Sequence, residues 1–482
     1  MPLSDRYEPD PRWPALGEGF DDVVEPARFP SEVPRFRNRR CAERIGVGEL
    51  TDDEWARHFA RFEPLPGNLE RPLALRYHGH QFGVYNPYLG DGRAFLFAQL
   101  RDTVDRRLLD LGTKGSGRTP WSRDGDGRLT LKGGVREVLA SEMLEALGVY
   151  TSKSLSLYET GERLFRNDEP SPARGSVLVR LSHSFVRIGT FERLAFHRDG
   201  SSIRKLLEYV LETHFPHLAG DRHDPPAAFF REVSERCATL VASWTAAGFV
   251  HGVLNSDNVN VTGESFDYGP YRFLPALDPA FVAAYFDASG LYAFGRQAEA
   301  MKWNLAYLAD ALSIVGSGDD LLPAWHAFGS LVDRALGAKV VERLGLAPAA
   351  PEVDAALGRV VVSFLGESRM PFQRFFFDWF GGAVSEPRAS ASREAARYAS
   401  DAFRPVRDAL DGRQPRDPAA LGEPYFDGDG PCDLLIDEVE AIWQRIADAD
   451  DWSAFDRKVD AIRAMGDAIR PTAVANVLSG GC

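Results

Sequence analysis

Cysteine is scarce in this chain. Its four cysteines, Cys41, Cys237, Cys432 and Cys482, stand far apart in 482 residues and never form a CxxC pair, which excludes a disulfide-stapled fold and a thiolate zinc site. Long apolar runs are also missing: no stretch approaches the roughly eighteen residues needed to span a bilayer, so no membrane partner is expected. The opening MPLSDRYEPDPRWP has no apolar segment and no cleavage-site pattern, and the sequence reads as cytoplasmic. Basic residues are in deficit, with 56 Lys and Arg against 70 Asp and Glu and a net charge of -14. A surface that wraps nucleic acid needs clustered cations, so no nucleic-acid partner is expected and any phosphate chemistry must be local. Internal repeats are absent.

What is present is an ordinary globular balance, 44% hydrophobic and 26% charged over a length that exceeds one usual domain, enough for a large core in two lobes. Residues 1–75 are rich in Pro, Arg and acidic residues with little period, the signature of an extension wrapped on the surface. From about 93 to 195 the pattern is strand-like with one helix: RAFLFAQLRD, RLLDLGTKGSG, SLSLYETGERLFR and GSVLVRLSHSFVRIG run or alternate apolar, and GGVREVLASEMLEALGV has helical period. After residue 200 the helical period dominates, as in SIRKLLEYVLETHF, AAFFREVSERCATLVASWTAAGF and RQAEAMKWNLAYLADALSIV. EPRASASREAARYASDAFRP reads as an exposed connection before a last helical section. The expected organisation is α+β and protein-kinase-like: an extension over 1–75, a small strand-rich lobe over 76–198, a large helical lobe over 199–385, and a helical extension over 386–482.

A short motif near the lobe junction tests that layout. Protein kinases carry H-R-D-x-x-x-x-N and then Asp-Phe-Gly, with the Asn and the second Asp holding magnesium. In VHGVLNSDNVNVTGESFDYGP, His251 is followed at the same offset by Asn258, and Asp267-Tyr268-Gly269 stands in the Asp-Phe-Gly place. The catalytic Asp position, two after the His, is Val253, which can neither accept a proton nor orient a hydroxyl. The nearest carboxylate is Asp257. Asn258 and Asp267 still offer the hard oxygen ligands that magnesium requires, although SDNVNVTG is equally readable as a hairpin turn using Asn, Asp and Gly for backbone reasons.

The small lobe adds a second pair in kinase order. Lys114 ends an apolar strand-like run, and Glu137 lies on the helix that follows, with Glu142 a second candidate partner on the same helix. Such a pair positions ATP phosphates.

Long strings then carry a resemblance. RYHGHQFGVYNPYLGDGRA, LGTKGSGRTPWSRDGDGRLTLKGG, RLSHSFVRIGTFE, HGVLNSDNVNVTG and DYGP are similar to the selenoprotein O family of protein adenylyltransferases, over nearly the whole chain. The resemblance implies a kinase-like pseudokinase fold in which ATP is bound flipped, its α-phosphate facing the acceptor, and a reaction that moves AMP onto Ser, Thr or Tyr hydroxyls of proteins. It implies nucleotide contacts from Gly90, Gly92 and Arg93 of YLGDGRA, from Lys114, from Asp126 and Gly127 of SRDGDGR, from Arg180 and Arg187 of VRLSHSFVRIG, and from Asp267. Asp257 becomes the proton acceptor, Asn258 and Asp267 the ligands of magnesium (or manganese), Glu137 the partner of Lys114, and ATP the substrate. An atypical kinase transferring the γ-phosphate and a non-catalytic ATP-binding scaffold are the alternatives, the second favoured by Val253 and opposed by Lys114, Asn258 and Asp267.

The resemblance also sets an expectation about redox control. Family members commonly end in a redox-active Cys or selenocysteine close to the terminus, and some pair it with a Cys in the segment after Asp-Tyr-Gly. Here Cys482 is the last residue, YRFLPALDPAFVAAYFDASG contains no Cys, and Ala283 occupies the matching place. That internal clamp is therefore not expected; transfer should respond little to reductant, with Cys482→Ser like wild type under oxidant.

Overall fold

The structure, a computed structural model, describes residues 3–167, 169–218 and 224–470; Cys482 lies outside them. The small lobe is built on an eight-stranded antiparallel sheet. Its strands run in the order β1 (Asp21–Val23), β3 (Leu73–Leu75), β6 (Leu96–Arg101), β7 (Leu108–Lys114), β10 (Ala173–Ser182), β9 (Lys153–Leu164) and β2 (Val33–Arg37), with the short β8 (Leu129–Thr130) also on β10. Between β3 and β6 a separate hairpin forms from β4 (Gly79–Gln81) and β5 (Val84–Asn86). Every residue of β7 is buried, Asp110, Thr113 and Lys114 included, as in a strand covered on both faces.

The residues before 76 do more than wrap the surface. β1 and β2 form the two ends of the sheet path, while helices α1 (Arg39–Arg44) and α2 (Asp52–Phe59) bury Cys41, Ala42, Trp55 and Phe59. The strands were hidden because they are only three and five residues long and largely polar, too short for a period to show.

Helix α3 (Leu131–Ala146) crosses the sheet. Thr130 caps it by accepting from the Gly133 backbone N at 3.2 Å, which satisfies one of the otherwise unpaired first-turn donors. Gly134 sits where a Cβ would lie 2.5 Å from Leu157 Cδ1, so glycine lets the helix settle directly on β9. Leu131, Val135, Val138, Leu139 and Met143 join Leu157 and Leu178 in the core.

The large lobe comprises α4 (Ile188–Phe196), α5 (Gly200–His214), α6 (Pro225–Ala247), α7 (Gln297–Leu312), α8 (Gly318–Arg343), α9 (Pro351–Ser368) and α10 (Phe372–Asp378). Between α6 and α7 the chain forms two short paired strands, β11 (Phe249–Val250) and β12 (Arg272–Phe273), and the loop between them carries the kinase-like motif. No helix among the described residues is long and apolar enough to cross a membrane.

The stretch 386–405 is corrected by the structure. It folds into α11 (Glu386–Ala391), α12 (Ala395–Tyr398) and the start of α13 (Arg404–Leu410), and Ala389, Tyr398 and Phe403 are buried with Phe364 and Trp379. Phe403 packs with ring centroids 5.0 Å from Phe364 and 4.9 Å from Trp379. Two aromatic anchors suffice to hold an otherwise small and polar segment against the lobe. The final helices, α14 (Ile436–Ala449) and α15 (Ser453–Ile469), return to the small lobe. Arg463 forks onto Glu142 at 2.7 and 2.8 Å, and Lys132 meets Glu440 at 2.6 Å, tying the C-terminal helices to α3.

Asp110, in the middle of β7, is fully buried and accepts from Gln99 Nε2 at 2.7 Å and the Phe185 backbone N at 3.1 Å. Burial pushes its carboxyl up to about 7. This lies above the ~3.9 of an unfolded aspartate, so between those values the folded chain keeps a proton the unfolded chain has released, and stability falls as pH rises. Asp110→Asn is expected to flatten that fall by about 1.4 kcal/mol per pH unit between roughly pH 4.5 and 6.5. Denaturant unfolding at each pH reads the slope, and an unchanged slope would count against the assignment.

Candidate active site

The end of β7, the middle of α3, β10 and the loop after β11 converge on one buried charge cluster. Lys114 Nζ contacts Glu137 Oε1 and lies 2.7 Å from Asp267 Oδ1, and Arg180 Nη1 approaches that same oxygen at 3.2 Å. Lys114, Glu137 and Arg180 are only 3–4% exposed. The ambiguity over the lysine's partner is thereby resolved: Glu137 faces inward to Lys114, whereas Glu142, also buried, is taken by Arg463 and Asn38. Lys114, Arg180 and Arg93 hold the Asp267 carboxyl well below the usual carboxylate range against the opposing effect of burial, so it is ionised. Its second oxygen, Oδ2, accepts no hydrogen bond among the described residues.

The motif loop is not a hairpin turn. Ser256–Asn258 form a single 3-10 turn, and the pairing strands β11 and β12 lie outside the motif. His251, 1% exposed, donates through its backbone N to Gln297 Oε1 at 3.0 Å, and its Nε2 lies 3.0 Å from the Phe266 carbonyl oxygen. Burial lowers its pKa, so it is a neutral tie between two turns of the loop. Asn258 donates through Nδ2 to the Val253 carbonyl at 3.2 Å, leaving its amide oxygen available. Asp267 adopts φ +66°, a left-handed conformation that costs free energy for a non-glycine residue and recurs at functional sites.

Asp257 is buried, and its Oδ1 has no hydrogen-bond partner among the described residues. Burial raises its pKa to about 6, with Arg187 acting in the opposite direction. A buried carboxylate with a free lone pair and a raised pKa is suited to take up a proton near neutral pH.

Arg180 and Arg187 both lie beside the Phe266 ring, with guanidinium carbons 5.7 and 5.1 Å from its centroid. Arg187 is also buried, lies 4.1 Å over the Tyr77 ring, and bonds Asp91 Oδ1 at 3.0 Å and the Asp257 carbonyl at 3.4 Å. Neither is a surface charge.

The glycines of YLGDGRA have a packing reason within the fold. A Cβ on Gly90 would fall 2.3 Å from Trp121, and one on Gly92 would lie 2.8 Å from the Trp121 carbonyl, so both are small because the following loop packs on them. Arg93, exposed, accepts through its carbonyl from Gly115 N at 2.7 Å and so fastens that loop beside Lys114. Gly127 at φ +72° backs onto Gly117. Asp126 is exposed at the loop's far end, where its carboxylate meets Arg166 at 2.8 Å and accepts from the Arg128 backbone N at 2.9 Å; among the described residues no hydrogen bond or ion pair joins it to the Lys114 cluster.

The sequence model for protein adenylyltransferase SelO matches residues 3–463. The chain belongs to the protein adenylyltransferase SelO family. Protein nucleotidyltransferase YdiU of Synechocystis sp. is 42% identical over 471 residues, covering 94% of this chain and 98% of that protein. The protein of the same name from Trichodesmium erythraeum is 47% identical over 387 residues, 78% of this chain and 80% of its own, and that from Vibrio cholerae is 38% identical over 364 residues, 76% and 73%.

Within this SelO family chain, four site residues escaped the sequence reading. Asp91 is the buried acceptor for Arg187, Gly79 lies against Asp257, where a Cβ would be 3.0 Å from Oδ1, Gln81 reaches the same carboxylate, and Glu192 bonds Ser256 Oγ. All four belong to stretches quoted as family-like, RYHGHQFGVYNPYLGDGRA and RLSHSFVRIGTFE, so the signal was present without a role attached.

Proposed function

We propose that this cleft transfers AMP from ATP to hydroxyl side chains of proteins, with ATP bound in the flipped orientation. The enzyme class, protein adenylyltransferase, follows from family membership. The observation that carries the site reading is the combination of a kinase-like Lys114–Glu137–Asp267 cluster with a buried, unpartnered carboxylate at Asp257 and none at Val253.

Asp267 Oδ2 and the Asn258 amide oxygen fit a hard divalent cation that completes its shell with phosphate oxygens and water. Magnesium or manganese held there would screen the triphosphate and stabilise charge on the departing pyrophosphate. Lys114, Arg180 and Arg93 supply cations for the phosphates, and Glu137 keeps Lys114 extended into the cleft. Arg187 holds the backbone of Asp257 in place through its carbonyl. The acceptor oxygen bonds to the α-phosphorus, the bond to the oxygen bridging to the β-phosphorus breaks, pyrophosphate leaves, and the acceptor proton passes to Asp257.

ATP labelled on the α- or on the γ-phosphate, incubated with the enzyme and magnesium, tests this directly. The α label should appear on protein; γ label alone would mean a kinase, and neither a scaffold. Lys114→Ala and Arg93→Ala are each expected to weaken transfer. Val253→Asp restores a kinase-like acid yet should create no efficient γ-transfer, because the new carboxylate faces the wrong end of ATP. Robust γ-transfer by Val253→Asp would support the ordinary kinase orientation.

A further inference from the structure

The hairpin of β4 and β5 lies outside the main sheet, and three successive residues of its first strand and turn each touch the turn that carries Asp257. His80 N donates to Ser256 Oγ at 2.8 Å, Gln81 Nε2 lies 3.5 Å from Asp257 Oδ2, and Phe82 N donates to Asn255 Oδ1 at 3.1 Å. The hairpin is anchored independently. His80 Nδ1 meets Glu192, whose other oxygen accepts the Ser256 hydroxyl, and the His80 ring stacks on Tyr307 with centroids 3.6 Å apart. Phe82 is held at φ +51°, a strained conformation for an aromatic residue, with its N–H shared between Asn255 and the Tyr292 hydroxyl at 3.2 Å.

Gln81 is oriented as well as placed. Its Oε1 accepts from Asn86 Nδ2 across the hairpin at 3.1 Å, which points its amide nitrogen at Asp257. Among the described residues it is the only side-chain donor to the Asp257 carboxylate, since Arg187 bonds the backbone carbonyl instead. The terminal torsion of an aspartate is soft, so without that donor nothing in the surrounding side chains fixes which oxygen faces the cleft.

We infer that Gln81 is a positioning residue for the transfer reaction: through Oδ2 it fixes the rotation of the Asp257 carboxylate relative to the acceptor hydroxyl. This rests on Asp257 being the proton acceptor, and it assigns the hairpin a role in the chemical step rather than in holding ATP.

A double-mutant cycle on the full chain tests it, using wild type, Gln81→Ala, Asp257→Asn and the double variant, with single-turnover α-label transfer and the KM for ATP measured for each. Gln81→Ala is expected to slow transfer about 10- to 100-fold, the range for a misplaced catalytic group, at unchanged KM for ATP. In the Asp257→Asn background the same change should cost nothing further, because the group it positions is gone. Gln81→Met, which keeps the side-chain size but cannot donate, should resemble Gln81→Ala, and Asn86→Ala should give a smaller loss of the same kind. Losses that multiply in the double variant, or that appear in KM for ATP and in melting temperature together, would overturn the inference in favour of a structural hairpin, as would wild-type transfer by Gln81→Met. Wild-type transfer by Asp257→Asn would instead remove the reading on which it rests.

Discussion

Asp267→Ala protein is expected to lose α-label transfer by on the order of 10³-fold or more at saturating ATP and magnesium, the largest loss of any single substitution in the site. Metal screening of a reacting phosphate is worth several kcal/mol, and each ~1.4 kcal/mol is tenfold in rate. Asp267 is the one carboxylate among the proposed metal ligands, because Asn258 is neutral. It is also the counter-ion on which two buried cations converge: Lys114 and Arg180 share its Oδ1 at 2.7 and 3.2 Å. Alanine therefore removes a ligand and leaves Arg180 without its acid. The ATP phosphates can replace that lost negative charge, so ATP binding measured with a chelator present should survive while chemistry does not. Asp267→Asn separates the two roles, since the amide keeps the shape and an oxygen but neither the charge nor the preference for both cations. A variant at this position that transferred AMP at the wild-type rate would show the metal and site assignment to be wrong.

Elements with a long period were legible before the structure. β6, β7, α3, β9 and β10 fall on the segments read as strand or helix, because buried faces force the apolar pattern over many residues. Lys114, Glu137 and Asp267 were legible for another reason: the kinase-like order of Lys, Glu and the Asp-x-Gly triplet survives in the linear chain. Contacts made across the fold were not. Gln81 and Asp257 are 176 positions apart, and Glu142 is removed from competition for Lys114 by Arg463, 321 positions further on. Gly90 and Gly92 were singled out as nucleotide contacts, and their packing against Trp121, the other demand on their size, joins positions too far apart in the chain for a sequence to show. The stretch 386–405 misled through composition, since its Ala, Ser and Arg content masks two aromatic side chains that decide its packing.

The Asp257 variants should separate chemistry from binding more cleanly than those at Asp267. Asp257→Asn is expected to slow transfer to protein hydroxyls about 10²- to 10⁴-fold, the usual range for loss of a general base, with little change in the KM for ATP. The carboxylate is buried, pushed up to about 6 chiefly by that burial, and its Oδ1 has no hydrogen-bond partner among the described residues. Burying such a group costs stability, so the asparagine variant should melt no lower than wild type, the trade between activity and stability expected of a working site. Hydroxylamine supplies the decisive comparison: it attacks phosphorus as a neutral nucleophile and needs no base to remove a proton beforehand. With hydroxylamine as acceptor the gap between wild type and Asp257→Asn should close to within about tenfold, whereas Asp267→Ala should remain inactive because pyrophosphate still has to leave. A gap equally wide for hydroxylamine and for protein hydroxyls would show that Asp257 serves the nucleotide or its metal rather than the acceptor's proton.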